Sequence, residues 1–180
     1  MKPFILFICL LPLVTIAQDE PLGYSRILLF DSLSKDQIYD KTLIWCSKQF
    51  VESKNAINER IKESGIITGK ANYMSQYKMP GKKDSVAGSL YNKYYFDWLV
   101  EIKDGRLRFS ASNIEVEPVT LGGATKFAVF TKGEAPVKVM FQARSRTQME
   151  WDMSKQYFIS NLDKLVNSLY IDVSKKAKEW

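Results

Sequence analysis

The 180-residue chain contains no histidine, which removes the usual general base of hydrolases, the commonest zinc ligand, and every Ser-His or Cys-His nucleophile pair. Thiols and carboxylates remain. Cys46 falls with Tyr39, Leu43 and Phe50 at i, i+4, i+7 and i+11, the spacing of a buried helical stripe, and a buried thiol behaves as a small inert hydrophobe. Asp97 and Glu101 share one face of a predicted strand, roughly 13 Å apart at the rise of a regular strand, beyond the ~5 to 9.5 Å of a glycosidase pair. Asp31, Asp36 and Asp40 gather around a predicted helix start, where negative charge is favoured without any metal. Leu121-Gly122-Gly123-Ala124 lacks the spacing and the lysine of a phosphate loop. No catalytic residue, cofactor or metal is therefore expected; the alternative, a carboxylate-dependent hydrolase, needs two acids brought together by the fold.

Residues suited to binding are easier to find. Tyr91, Tyr94, Tyr95, Phe96 and Trp98 concentrate aromatic area in one predicted hairpin, and any of it that faces solvent forms a contact surface. Tyr91 and Tyr95, the loop lysines Lys82 and Lys83, and Phe127 and Phe130 of a less regular stretch are the candidate interaction residues. Lys93, Tyr95, Lys103, Arg106 and Arg108 also sketch a basic, aromatic surface, but acids interleave them and the net charge is only +6, so nucleic acid is not the expected partner. The basic stretches 78–83 and 175–178 admit contact with anionic lipid or cell-wall polymer as a further alternative.

The elements that position these residues follow an export signal. Lys2, the apolar run 4–14 and Thr15-Ile16-Ala17 have the pattern of a cleavable signal peptide, cut after Ala17. The run is far shorter than the ~20 residues that span a bilayer, and Cys9 lies inside it rather than closing it as a lipoprotein cysteine would. Cleavage removes one lysine and no acid, taking the charge from +6 to +5. It leaves Cys46 as the sole cysteine, so no intramolecular disulfide forms. A linker (18–23) then leads into one domain (24–180), periplasmic or secreted.

Residues 24–31 alternate as a strand with apolar side chains on both faces, predicting burial of both. Ser34 and Gln37 form a capping box that starts a helix carrying Tyr39, Leu43, Trp45, Cys46 and Phe50. Two strands flank Glu63-Ser64-Gly65; residues 74–90 lack periodicity and predict a loop. Residues 94–102 alternate clearly, and Asp104-Gly105 predicts a type I′ turn into a partner strand over 107–116. Within the excursion 117–148, residues 127–131 and 137–142 predict a second, shorter hairpin. A long helix from about 147 to 175 presents Trp151, Phe158, Leu162, Leu165, Val166 and Leu169 on one side. The fold class is α+β: a curved antiparallel sheet of about five strands with two helices on one face.

The segments Ser34-Lys35-Asp36-Gln37-Ile38-Tyr39-Asp40, Ser53-Lys54-Asn55-Ala56-Ile57, Glu63-Ser64-Gly65-Ile66-Ile67-Thr68-Gly69-Lys70 and Lys103-Asp104-Gly105-Arg106 resemble a family of exported proteins of Gram-negative bacteria. That family is a domain of unknown function with a TATA-box-binding-protein-like fold. The resemblance spans roughly residues 24–116 and implies a β-α-β-β-β-β-α unit. It brings no catalytic or binding residue; the export signal, one compact domain and the missing catalytic groups make the expected role a non-enzymatic binding module of the envelope, with an envelope protein or small ligand as partner.

Overall fold

The computed structural model describes residues 20–50, 57–80, 86–119, 128–130, 132 and 144–175. Strand β1 (Tyr24–Leu29) leads into helix α1 (Lys35–Gln49). β2 (Glu59–Ile61), β3 (Ile66–Pro80), β4 (Val86–Lys103) and β5 (Arg106–Val119) follow, then β6 (Ala128–Val129) and helix α2 (Arg144–Ser174). The strands make one antiparallel sheet in the order β1-β5-β4-β3-β2, with β6 added to β5. β1 and β6 sit in tandem on the same edge of β5, because β4 occupies the other. This is the expected α+β arrangement. Among the described residues, no helix is long and apolar enough to cross a membrane.

Strand periodicity decides which face is covered. Tyr94, Phe96, Trp98, Val100 and Ile102 of β4 are buried, as are Leu107, Phe109 and Ala111 of β5 and Ile67 and Ala71 of β3. Against them pack Ile38, Tyr39, Trp45 and Cys46 of α1, and Phe158, Leu162, Val166, Leu169 and Val173 of α2. Each large apolar side chain so buried contributes about 1.5 to 3 kcal/mol. Phe158 centres an aromatic cluster with Tyr73, Tyr94 and Phe96 at 5.8, 5.1 and 5.5 Å. The helices are tied to each other as well: Trp45 Nε1 donates to Ser168 Oγ (3.0 Å). Lys41 Nζ donates to the carbonyls of Val173 (2.8 Å) and Lys175 (2.6 Å), placing a cation at the negative end of α2.

The first turn of α1 is where distant parts of the chain converge. The capping box forms: Gln37 N–H donates to Ser34 Oγ (3.4 Å) and Ser34 N–H to Gln37 Oε1 (3.0 Å). Lys35 N–H donates to Asp104 Oδ1 (2.8 Å), so the β4–β5 turn satisfies another of the orphan donors of the helix start. In the same turn, Gly105 N–H donates to Leu33 O (3.1 Å) and Gly105 O accepts from Phe30 N–H (2.8 Å). From the β2–β3 turn, Glu63 O accepts from Lys35 Nζ (2.5 Å), Gly65 O accepts from Ile102 N–H (2.8 Å), and Lys62 pairs with Asp40 (2.8 Å).

Four expectations change. The 74–90 segment is largely strand, not loop: β3 runs to Pro80 and β4 starts at Val86. Its inward Ser75, and Asn92 opposite it on β4, are both buried, so the alternation is polar and escapes an apolar pattern. Asn92 is accommodated because its Nδ2 donates to Ser154 Oγ of α2 (2.8 Å). The β4–β5 turn has positive φ at Gly105 but not at Asp104, so it is not type I′; Asn113 (φ 50°) is the only non-glycine with positive φ among the described residues. Asn113 marks a bulge that lets β5 keep Ile114 and Val116 facing the core. Within the 127–131 arm, Ala128–Val129 form β6, paired with β5, and the arm's expected partner 137–142 lies outside the described residues. Finally, β1 is not buried on both faces: Ile27 and Leu29 are 60% and 64% exposed.

A Cβ at Gly65 (φ +71°) would lie 2.4 Å from Ile102 O and 2.9 Å from Lys35 Cε. Gly65→Ala is therefore expected to destabilise by about 2 to 4 kcal/mol, the sum of left-handed strain and overpacking. Asp104→Ala, which removes a helix-start acceptor, is expected to cost about 1 kcal/mol. Urea unfolding at neutral pH measures both; equal stabilities of Gly65→Ala and the parent would remove the junction from its structural role.

Candidate functional site: the helix-free face of the sheet

Both helices lie on one side, so the opposite side carries the outward set of every strand. In register across it run Leu29, Arg106 and Lys103; then Ile27, Arg108, Glu101 and Ile66; then Ser25, Ser110, Leu99 and Thr68. Farther along stand Ser112, Asp97 and Lys70, then Glu115, Tyr95 and Asn72. Most charges here are neutralised locally. Arg108 holds Glu101 Oε2 through Nη2 (2.5 Å) and Nε (2.6 Å). Asp97 takes Lys70 (3.4 Å) and Asn113 Nδ2 (2.7 Å). At the hairpin end, Ile27, Glu101, Lys103, Arg106, Leu107 and Arg108 line a depression of about 250 Å³. That is less than the ~300 to 1,000 Å³ of a site that engulfs its ligand, so the place suits a side chain or a small anionic group.

The candidate interaction residues separate. Tyr95 lies on this face, half-buried, its hydroxyl donating to Glu117 Oε2 (2.9 Å) with Lys93 Nζ 5.0 Å from its ring centre. Phe130 is corrected: it is fully buried, 4.6 Å from the Trp151 ring, and its N–H donates to Ile114 O (2.8 Å). It is a core residue because the strand it follows is stitched to β5, which turns the aromatic ring inward. Lys82, Lys83, Phe127 and the side chain of Tyr91 lie outside the described residues. Ile27 and Leu29 are what the sequence reading of an interaction surface missed, whereas Lys103 and Arg106 belong to the basic, aromatic surface that it sketched. The signal for the first two was present as an alternating strand, but nothing local says that one of its two apolar faces is left bare.

The remaining chemical candidates are structural. Cys46 is fully buried on α1, and burial raises its thiol from 9.0 to about 12. Asp40 is paired with Lys62. Among the described residues, no group of three or more acids or cysteines could hold a metal ion. Burial, and then its hydrogen bond to Asp163 Oδ1 (2.7 Å), raise Tyr24 from 10.0 to about 12. Tyr73 is raised chiefly by burial, and so is Tyr39.

Residues 24–117, more than half of the chain, match the family described as a domain of unknown function (DUF4468) with TBP-like fold. The chain belongs to that family. Its fold is similar to the crystal structure of a DUF4468 family protein from Bacteroides ovatus ATCC 8483, at 14% identity and a TM-score of 0.62, covering 89% of this chain and 90% of that one. It is also similar to a TBP-like protein from Parabacteroides distasonis ATCC 8503, at 14% identity and a TM-score of 0.61, covering 87% and 95%. At this identity the likeness speaks to the fold alone. No curated protein matches the chain.

The raised pKa values set an alkaline limit. Each of these groups stays protonated in the folded chain at a pH where the unfolded chain has released its proton, so their contribution is intact below about pH 9 and is lost as pH rises toward 12. Chemical unfolding followed from pH 7 to 11 is expected to show a plateau and then a decline beginning near pH 9. Cys46 should remain unlabelled by a thiol reagent in the folded domain and react fully in denaturant; rapid labelling of the folded domain would contradict its place in the core.

Proposed function

We propose that this DUF4468 member is an exported, non-enzymatic interaction module that presents the helix-free face of its sheet to a protein of the bacterial envelope. The observation that carries the reading is the exposure of Ile27 and Leu29 beside the depression holding Lys103 and Arg106, on a face where Arg108 pairs with Glu101 and Lys70 with Asp97. Apolar side chains left bare next to polar ones mark a contact surface. Charges alternating in sign, as Arg108 with Glu101 and Lys70 with Asp97 do, suit a protein surface better than a phosphate backbone, which rewards an excess of cations. The leader at residues 1–17 supports export.

In the native host, the secreted or periplasmic product is expected to begin at Gln18. A photo-crosslinking residue replacing Leu99, central on the open face, is expected to give a discrete protein adduct. The same residue replacing the exposed Ile171 of α2 should not. Retention of the uncleaved chain in the cytoplasm would defeat the export half; equal adducts from both positions, or none from Leu99, would defeat the other.

A further inference from the structure

The two ends of the sheet are finished differently. At one end β2 is three residues long and exposes Glu59 and Arg60, the short, charged kind of edge that resists pairing with another strand. At the other end, β1 pairs residue for residue with β5 from Tyr24↔Ala111 to Leu29↔Arg106, without proline or bulge. It has no other strand neighbour among the described residues. Its single charge, Arg26, turns to the helix side toward Asp163 (3.7 Å). On the open side β1 shows Ser25, Ile27 and Leu29. Among the described residues, apart from the inward-turned Arg26, this edge carries no proline, bulge or covering strand, and its outer backbone groups form a template for one more strand.

The neighbouring strands indicate what that strand carries. Lys103 and Arg106 face each other directly across β4 and β5, both exposed, and have no ion-pair partner among the described residues. The nearest acid in the depression, Glu101, is held by Arg108. Like charges directly opposite each other are destabilising, so the corner favours an incoming anion. A strand added to β1 would lie roughly 10 Å from β5, within the combined reach of an arginine and a glutamate.

We propose that β1 is a docking edge for an extended segment of a partner protein, added as a further strand, with apolar side chains over Ile27 and Leu29 and a carboxylate in the depression beside Arg106 and Lys103. The proposal rests on the reading of the helix-free face as the interaction side, and it names the chemistry of the partner: alternating, apolar and acidic.

The probe is a fluorescent peptide, Thr-Val-Thr-Val-Thr-Glu-Thr, which places two valines and the glutamate on one face. It is compared with the same peptide carrying lysine for glutamate and with a version N-methylated at every backbone amide. Fluorescence anisotropy with the mature full chain is expected to show the glutamate peptide binding at least tenfold more tightly than either. Arg106→Glu should reverse the preference between glutamate and lysine, and Leu29→Lys should weaken binding at least tenfold, both with unchanged circular dichroism. Equal affinity for the three peptides, or no binding of the glutamate peptide at millimolar concentration, overturns the proposal. So does a concentration-dependent dimer that Ile27→Asp abolishes and the peptide does not disperse, because then a second copy of the chain occupies the edge. Adducts from the Leu99 crosslinker without peptide binding would remove the edge and leave the face; absence of adducts would remove the broader reading.

Discussion

The start of α1 is a problem in hydrogen bonding, and its solution holds the domain together. A helix beginning after a short strand presents N–H groups that need acceptors. Here the acceptors come from Ser34 and Gln37 within the helix start and from Asp104 some seventy residues on. Because Asp104 and Gly105 are the tip of the β4–β5 hairpin, satisfying the helix fixes the hairpin against it. Gly65 then brings the β2–β3 turn to the same place through Ile102, where only a residue without a side chain fits. Three chain segments far apart in sequence therefore share one junction. Shifting any strand by one residue would break it and would also turn the core face of that strand toward solvent.

This explains what the family signature contains. The Ser34 to Asp40, Glu63 to Lys70 and Lys103 to Arg106 segments that resemble the family are the three sides of that junction. They are recognisable because turn and cap geometry admit few residue types: a glycine where φ is positive, a short acid where a helix needs an acceptor. A signature of this kind reports how the chain folds. It leaves open what the free face of the sheet contacts, and the open face is built from other residues, such as Ile27, Leu29 and Arg106.

The carboxylates illustrate how tertiary pairing settles chemistry. Asp97 and Glu101 lie on one strand face, yet each is engaged by a cation from the neighbouring strand, Lys70 from β3 and Arg108 from β5. Exposed pairs of this sort contribute little to stability, but they occupy both acids with cations of the neighbouring strands. Cys46 shows the opposite case, where a group with intrinsic reactivity is silenced by burial between α1 and the rest of the core. At the hairpin end the pairing is incomplete, and Lys103 and Arg106 are left facing solvent together.

Local chemistry was legible in the sequence wherever one residue type is nearly obligatory. The capping box, the helical stripe around Trp45 and Cys46, the alternation from Tyr94 to Ile102 and the glycine turns all follow from backbone geometry and from the period of apolar side chains. Where an inward position is polar, as at Ser75 and Asn92, the period disappears from the sequence although the strand persists; for Asn92, Ser154 of a distant helix supplies the hydrogen bond. The same limit governs the candidate site. That Ile27 and Leu29 form one face of a strand is a property of the sequence; that this face stays uncovered depends on both helices choosing the other side of the sheet. Phe130 and Leu29 are equally apolar, and only the long-range pairing of their strands with β5 buries one and exposes the other.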